Sequence, residues 1–385
     1  MAQIIAEVSR TFNEFLLLPN RTRTGCSPAT VDLRTPLVRH MAGEAPAIEL
    51  RSPFTSAIMQ AVSTPELAIA LARNGGLSFL HHNQPVEDQA AAVRQVKDSG
   101  AGPVRDDQRF PDRLVDAAGR LRVGAGVNTH DYRERVPALL EAGADALCFD
   151  SSDGYSDWQA QALSWVKKHY PEIPVGGGNV VDGEAFTFLA EAGADFVKAG
   201  VGGGSICITR DQKGIGRGQA SAVLDVAAAR DAFRERTGAY VPVCSDGGLV
   251  HDYHVALALA MGADFVMMGR YFARFDQAAG AKLPTRDGFV KEYWGEGSNR
   301  ARNWQRYGQG GSRGLVFEEG VDGCVPYAGD LGEGLALTVA KLKTTMVSCG
   351  STTLPEFRST ARLTLVSDQS FQESHANVTL RETVS

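Results

Sequence analysis

Three glycine-rich stretches hold residue types that could do chemistry on a phosphorylated substrate. In Gly202-Gly203-Gly204-Ser205-Ile206-Cys207-Ile208-Thr209 a thiol sits among small residues. Glycines let backbone approach a ligand closely, and a thiol among N–H donors can become the thiolate that attacks carbon. On spacing alone Cys207 fits a nucleophile and a packed thiol equally well. The other two stretches are Asp246-Gly247-Gly248 and Gly269-Arg270. Each alone reads as a tight turn; at the right places in a fold the two together would cradle a phosphate on exposed N–H groups. Asp246, an acceptor when ionised, suits a ribose diol better than the phosphate itself. Which reading holds depends on the elements that carry these loops.

A repeat supplies those elements. EAGADALCFD (141–150), EAGADFVKAG (191–200) and AMGADFVMMG (260–269) each end a helix, turn at Gly-Ala-Asp and enter an apolar strand. Their aspartates, Asp145, Asp195 and Asp264, stand 50 and then 69 positions apart, with one further strand candidate in each interval. Two β-α units per interval match the roughly 30 residues of a minimal β-α-β motif. The longer interval carries the extra loop GGGSICITRDQKGIGRGQ. In all, eight strands are expected, in PFTSAIM, LSFLHH, LRVGAGVN, ALCFDSS, IPVGGGNV, DFVKAGV, VPVCSDGG and DFVMMGR. Alternating with helical runs such as DYRERVPALLEAG, they predict a closed (β/α)8 TIM barrel whose site lies on the loops at the strands' carboxyl ends. The cysteine loop then follows strand six, and the two other loops follow strands seven and eight, where barrel enzymes often hold phosphate. An open doubly wound sheet is the rival, but Gly214-Ile215-Gly216-Arg217-Gly218 does not follow a strand at dinucleotide-fold spacing.

Composition narrows the function. With 43% hydrophobic and 22% charged residues in 385, the chain can bury one large core. The 39 basic and 45 acidic residues give a charge of -6 and no basic block, which disfavours nucleic acid. No run approaches the roughly 18 apolar residues of a membrane span, and the start lacks a secretory core, so a cytoplasmic protein is expected. The six cysteines, at 26, 148, 207, 244, 324 and 349, suit neither a disulfide scaffold nor a CxxC metal site. Cys148 and Cys244 read as small buried hydrophobes.

GGGSICITR, with SDGG, MGRYF and the Arg306-Tyr307 pair of NWQRYGQGG, resembles the inosine-monophosphate dehydrogenase family, in its forms with a glutamate in the EEG segment. The likeness runs through nearly the whole chain, with unrelated motifs in family order. It implies a (β/α)8 barrel, a homotetramer, and oxidation of IMP to XMP with NAD. Cys207 would add to C2 of the hypoxanthine ring, leaving a covalent thioimidate once hydride has passed to NAD. For IMP the resemblance points to Met59, Asn179, Ser205, Asp246, Gly247, Gly248, Gly269, Arg270, Tyr293, Gly295, Glu296 and Gly297. Of these, Ser205, Gly248, Gly269, Arg270 and Tyr293 belong to the phosphate and Asp246 to the ribose. For NAD it points to Asp150, Ser151 and Ser152 and to Gly202, Gly203 and Gly204.

The polar, glycine-rich segment at about 275–325 resembles the family's mobile flap, which replaces NADH. There Arg306 matches the base that activates water, unusual for a group charged at any working pH. Tyr307 stands beside it, and Thr209 with Glu319 matches a second proton relay. A monovalent cation, usually potassium, is implied at the carbonyls of Gly202, Gly204 and Cys207. Glu373, Ser374 and His375 of a neighbouring subunit would complete that site, although this tail departs from the family's Glu-Gly-Gly type. Most members insert paired cystathionine-β-synthase-type modules after the second barrel helix. Residues 99–120 are too short for them, leaving a catalytic barrel in 1–98 and 121–385. The alternatives are a GMP reductase using NADPH, which needs no water-activating flap, and a purine-nucleotide-binding protein without chemistry. A phosphosugar isomerase would leave the cysteine loop and flap unexplained.

Overall fold

Eight short apolar runs form the staves of one closed parallel barrel: β1 (Phe54–Ser56), β2 (Leu77–Leu80), β3 (Gly124–Val127), β4 (Ala146–Asp150), β5 (Val175–Val180), β6 (Val197–Ala199), β7 (Val243–Asp246) and β8 (Phe265–Met268). Each pairs with the next, and β8 pairs back with β1. The computed structural model describes residues 2, 4–99, 110–301, 317–374, 376 and 378. The eight runs expected from the sequence are these eight strands. They read as continuous apolar runs because a parallel barrel buries both faces of each strand.

The glycines in β3 and β5 make room for the barrel's filling. A Cβ on Gly124 would stand 2.4 Å from the Phe79 ring, and one on Gly176 would stand 2.1 Å from the ring of Phe196. Phe196 in turn packs against Phe79 and Phe265 at centroid distances of 5.7 and 5.8 Å. Cys148 and Cys244 are fully buried in the same cluster, as expected of small hydrophobes.

The helices α1 (Pro65–Arg73), α2 (Val86–Asp98), α3 (Tyr132–Glu141), α4 (Asp157–His169), α5 (Gly183–Glu191), α6 (Gln219–Thr237), α7 (Asp252–Ala260) and α8 (Leu331–Ser348) surround the strands. Several start on a side-chain cap: Thr64, Ser156, Asp182 and Asp330 each accept a hydrogen bond from the first turn. α8 packs between α1 and α7 and closes the ring. Everything between Gly269 and Asp330 is therefore an insertion between the last strand and its helix. Reading this insertion as a long polar segment missed its ordered part. Three antiparallel strands, β9 (Lys282–Thr285), β10 (Gly288–Trp294) and β11 (Asp322–Pro326), form a small sheet there. Residues 214–218 follow the short helix Thr209–Lys213 and lead into α6, not the strand-to-helix turn of a dinucleotide fold.

The Gly-Ala-Asp repeats perform one job three times. Gly143, Gly193 and Gly262 take φ values of 96, 104 and 115°, which ends the preceding helix at little cost for glycine alone. The aspartate two positions on grips the start of the preceding strand from both sides. Its N–H donates to the carbonyls of Val123, Val175 and Val243 at 2.9, 2.7 and 2.8 Å. Its carboxylate accepts from the N–H of the same three valines at 2.9, 2.8 and 2.8 Å. Cations neutralise each carboxylate: Lys97 at Asp145, Lys167 at Asp195, Arg230 and Arg358 at Asp264.

Candidate functional site

At the carboxyl ends of the strands lies an open cleft. The cysteine loop forms one wall. Gly200, at φ 141°, brings the loop so close to β7 that a Cβ would stand 2.1 Å from the Asp246 carbonyl oxygen. The Cys207 N–H donates to the Gly204 carbonyl at 3.1 Å, curling the loop around the thiol. The Ile208 N–H then donates to Glu319 O at 2.9 Å, and the Val321 N–H to Ile206 O at 3.0 Å. These bonds stitch the loop to the base of the inserted segment. Through this stitching, side chains 110 positions apart in sequence meet: Cys207 Sγ lies 3.1 Å from Thr209 Oγ1, which donates to Glu319 Oε2 at 3.1 Å. Lys213 Nζ follows at 3.5 Å from the same Oε2. Thr209 and Glu319 are buried, so this chain of polar groups is held out of bulk water.

Next to the cysteine loop stand the two small-residue loops, with Gly247 and Gly248 against Gly203 and Gly204. Gly247 and Gly248 take φ values of 85 and 72°. Gly269 has no room for a side chain, since a Cβ would stand 2.6 Å from Tyr293 Oη and 3.0 Å from Met59 S. Burial pushes the Tyr293 phenol up, which keeps it a neutral donor; its hydroxyl points at Met59 Sδ, 3.7 Å away. Ser205, Arg270, Gly295, Glu296 and Gly297 also line the cleft. Glu296 accepts from the Gln60 N–H, tying the inserted segment to the loop after β1.

On the floor stand Asp150, at the end of β4, and Asp246, at the end of β7. Between them Lys198 Nζ lies 2.5 Å from Asp150 Oδ1 and 2.8 Å from Asp246 Oδ2. Burial alone would lower the ammonium's pKa, but the two carboxylates hold it well above the ordinary lysine value. Asn179 donates to Asp246 Oδ2 at 2.9 Å and to the Gly200 carbonyl at 2.7 Å. Its Oδ1 is buried with no hydrogen-bond partner among the described residues. An orphaned acceptor of this kind calls for a donor from a bound molecule.

Of the residues expected from sequence, Met59, Asp150, Ser152, Gly204, Ser205, Cys207, Thr209, Asp246, Gly247, Gly248, Gly269, Arg270, Tyr293, Gly295, Glu296, Gly297 and Glu319 line this one cleft. Asn179 touches it through Asp246. Ser151 sits behind it, exchanging backbone hydrogen bonds with Gly178 and Asn179. Gly202 and Gly203 belong to the cysteine loop but not to the lining; a Cβ on Gly202 would collide with the Arg210 side chain. Glu373 and Ser374 end the short helix Asp368–Glu373, exposed and outside their own chain's cleft. Arg306, Tyr307 and His375 lie outside the described residues. Among the described residues no group of three His, Cys, Asp or Glu side chains could hold a metal ion. Sequence reasoning missed Lys198 and Lys213. Lys198 had a visible signal, a lone charge inside the apolar run DFVKAG; Lys213 had none, because its partner Glu319 is distant in sequence.

A sequence profile of the IMP dehydrogenase / GMP reductase domain matches residues 9–377. An inosine-5'-monophosphate dehydrogenase of Tritrichomonas foetus is 43% identical, over 98% of this chain and 97% of its own length. Enzymes of the same name from Aquifex aeolicus and Escherichia coli K12 are 28% and 29% identical, over 95% and 97% of this chain and 95% and 96% of theirs. With an eight-stranded barrel, a thiol on the loop after strand six and a profile match over nearly its full length, the chain belongs to the IMP dehydrogenase / GMP reductase family.

Proposed function

We propose that this protein oxidises IMP to XMP with NAD, using Cys207 as a covalent nucleophile. The observation that carries the reading is the line from Cys207 Sγ to the buried Thr209 and Glu319, opening into a cleft walled by Gly247-Gly248 and Gly269-Arg270. The nucleotide phosphate fits against those two loops with Ser205 and Tyr293, its ribose at Asp246 and its base over Met59 beside the thiol. Asn179 Oδ1 is the acceptor left for a ligand donor in this cleft. The thiolate bonds to C2 of the hypoxanthine ring, and the hydrogen on C2 leaves as hydride. NAD, for whose ribose Asp150 is the expected contact with Ser151, Ser152 and Gly202–Gly204 nearby, supplies the acceptor of that hydride. Water then adds to C2 of the thioimidate and the C–S bond breaks, releasing XMP and the thiol. Thr209 and Glu319 are placed to carry the proton that water gives up. Arg306 and Tyr307, on the inserted segment, are the expected base pair for the same step.

A homotetramer and a monovalent cation at the carbonyls of Gly202, Gly204 and Cys207 belong to the same reading. The exposed leucines Leu16 and Leu18, on one face of the ribbon where Phe15–Leu18 pairs with Arg362–Leu365, support association between copies. The alignment with the Tritrichomonas enzyme runs to 489 positions, more than the 385 residues here, and we place the extra segment of that relative opposite residues 99–120. The test is NADH absorbance on mixing the purified protein with IMP, NAD and potassium, beside a tube of GMP and NADPH. NADH in the first tube is the expected result. NADPH loss in the second alone makes the protein a GMP reductase, and silence in both leaves a nucleotide-binding protein.

A further inference from the structure

Lys198 differs from the other strand-end cations in where it stands. Lys97 and Lys167 brace aspartates at the amino ends of β4 and β6, whereas Lys198 reaches the carboxyl ends of β4 and β7. Its side chain is 1% exposed, while Asp150 and Asp246 keep 20% and 18% of theirs open. The lysine side chain is almost wholly covered while the two carboxylates stand more open, and all three residues border the cleft. The arrangement is built from several sides. A Cβ on Gly178 would stand 2.7 Å from Lys198 Cβ, so the strand beside the lysine has no room for a side chain there. Gln159 of α4 locks Gly178 by donating to its carbonyl at 2.9 Å and accepting from its N–H at 2.8 Å. Asn179 adds a second donor to Asp246 Oδ2, leaving Oδ1 without a hydrogen bond among the described residues. The other titratable neighbours of the ammonium are Cys148 and Cys244, whose thiols burial pushes up, so they stay neutral.

We propose that Lys198 is a positioning residue that couples the two halves of the cleft, fixing Asp150 and Asp246 in one ion triad that presents an acceptor to each of two ribose diols. The assignment rests on the function proposed above, in which Asp150 serves NAD and Asp246 serves IMP. Two carboxylates hydrogen-bonded to one ammonium are close neighbours, and without the cation their like charges would drive them apart or bring a proton between them. Either change spoils both diol contacts together. Loss of Lys198 therefore weakens two chemically different ligands at once, although neither need touch it.

The test is kinetic, on the full chain, with Lys198→Met and Lys198→Arg. Methionine keeps the length and removes the charge; arginine keeps the charge. In Lys198→Met the KM values for IMP and for NAD should each rise at least tenfold, while peptide-resolved alkylation of Cys207 by iodoacetamide stays within twofold of the parent. Lys198→Arg should restore both KM values to within about threefold. A folded Lys198→Met with either KM within twofold of the parent overturns the coupling, and so does a general loss in which Cys207 alkylation falls alongside. Should the methionine variant not fold, Lys198→Gln, which also removes the charge, takes its place under the same limits on both KM values and on Cys207 alkylation. A parent that forms no NADH overturns the functional reading and this inference with it; an active parent with unchanged variants overturns only the inference.

Discussion

Thr209 Oγ1 stands 3.1 Å from Cys207 Sγ, near enough for the hydroxyl to pass a proton between the thiol and Glu319. Thr209→Val keeps the shape and removes the hydroxyl. We expect steady-state turnover to fall about 10²-fold, the scale of a proton-transfer group, with IMP binding retained. Rapid mixing checks this through the NADH trace. A burst of NADH followed by a slow phase places the loss at hydrolysis; a variant with unaltered steady-state turnover removes Thr209 from the relay.

Gly269 packs against the Tyr293 hydroxyl and the Met59 sulfur with no space for a methyl group. Gly269→Ala should raise the Kd for IMP about tenfold or more, since Tyr293 is 3% exposed and cannot withdraw its ring. Titration calorimetry with IMP gives the number, and unchanged affinity would mean the phosphate sits elsewhere.

Asp264 is fully buried between two guanidinium groups, and despite burial Arg358 and Arg230 hold its carboxyl below the usual range. Asp264→Asn leaves both arginines without their anion and should cost about 3–5 kcal/mol, as for other broken buried pairs. A urea midpoint shows it; a loss under about 1 kcal/mol would mean the arginines find other acceptors.

Acid should loosen the fold through His254. Burial, with His251 beside it, pulls its pKa down to about 4, and its Nδ1 accepts from the Val250 N–H while Nε2 faces Asn13 Oδ1. The unfolded chain takes up that proton near the ordinary value of about 6.5, so between there and about 4 it binds more protons than the folded protein. Stability is therefore full above about pH 7 and falls as pH drops through that window, by on the order of 2–3 kcal/mol from this group. His81, which burial pulls down to about 3, adds to the same trend. Urea midpoints at pH 7.5 and 5.0 should differ in the parent and differ less in His254→Gln; equal midpoints in the parent would contradict it.

The barrel was legible because its strands announce themselves locally. Each is an apolar run bounded by turn residues, and the Gly-Ala-Asp repeat marks three of the eight entries. The small-residue loops and Cys207 were legible because a glycine cluster after a strand has few other uses. The sheet of β9, β10 and β11 was not read. Its Asp287-Gly288 dipeptide, at the Arg286-Asp287 turn and the first residue of β10, is an ordinary hairpin cue, but β10 finds its second partner, β11, across 27 intervening positions, and no local pattern records that pairing. The same holds for the line from Thr209 to Glu319 and Lys213, which the family resemblance supplied in part and residue spacing alone did not. Lys198 shows locally only as a lone charge inside an apolar strand; a buried lysine is seldom without a partner, but its partners Asp150 and Asp246 each lie 48 positions away.

The three aspartate grips all lie at the amino ends of the strands, and each ties an odd-numbered strand to the even one after it: β3 to β4, β5 to β6, β7 to β8. Alignment of the staves is thus settled on the face remote from the cleft. The opposite face is free to carry connections of very unequal length, from the few residues between β4 and α4 to the long excursion between β8 and α8. A loop there can be lengthened, shortened or exchanged without sliding one strand against another. Variation in chemistry and constancy of architecture are assigned to opposite ends of the same eight strands.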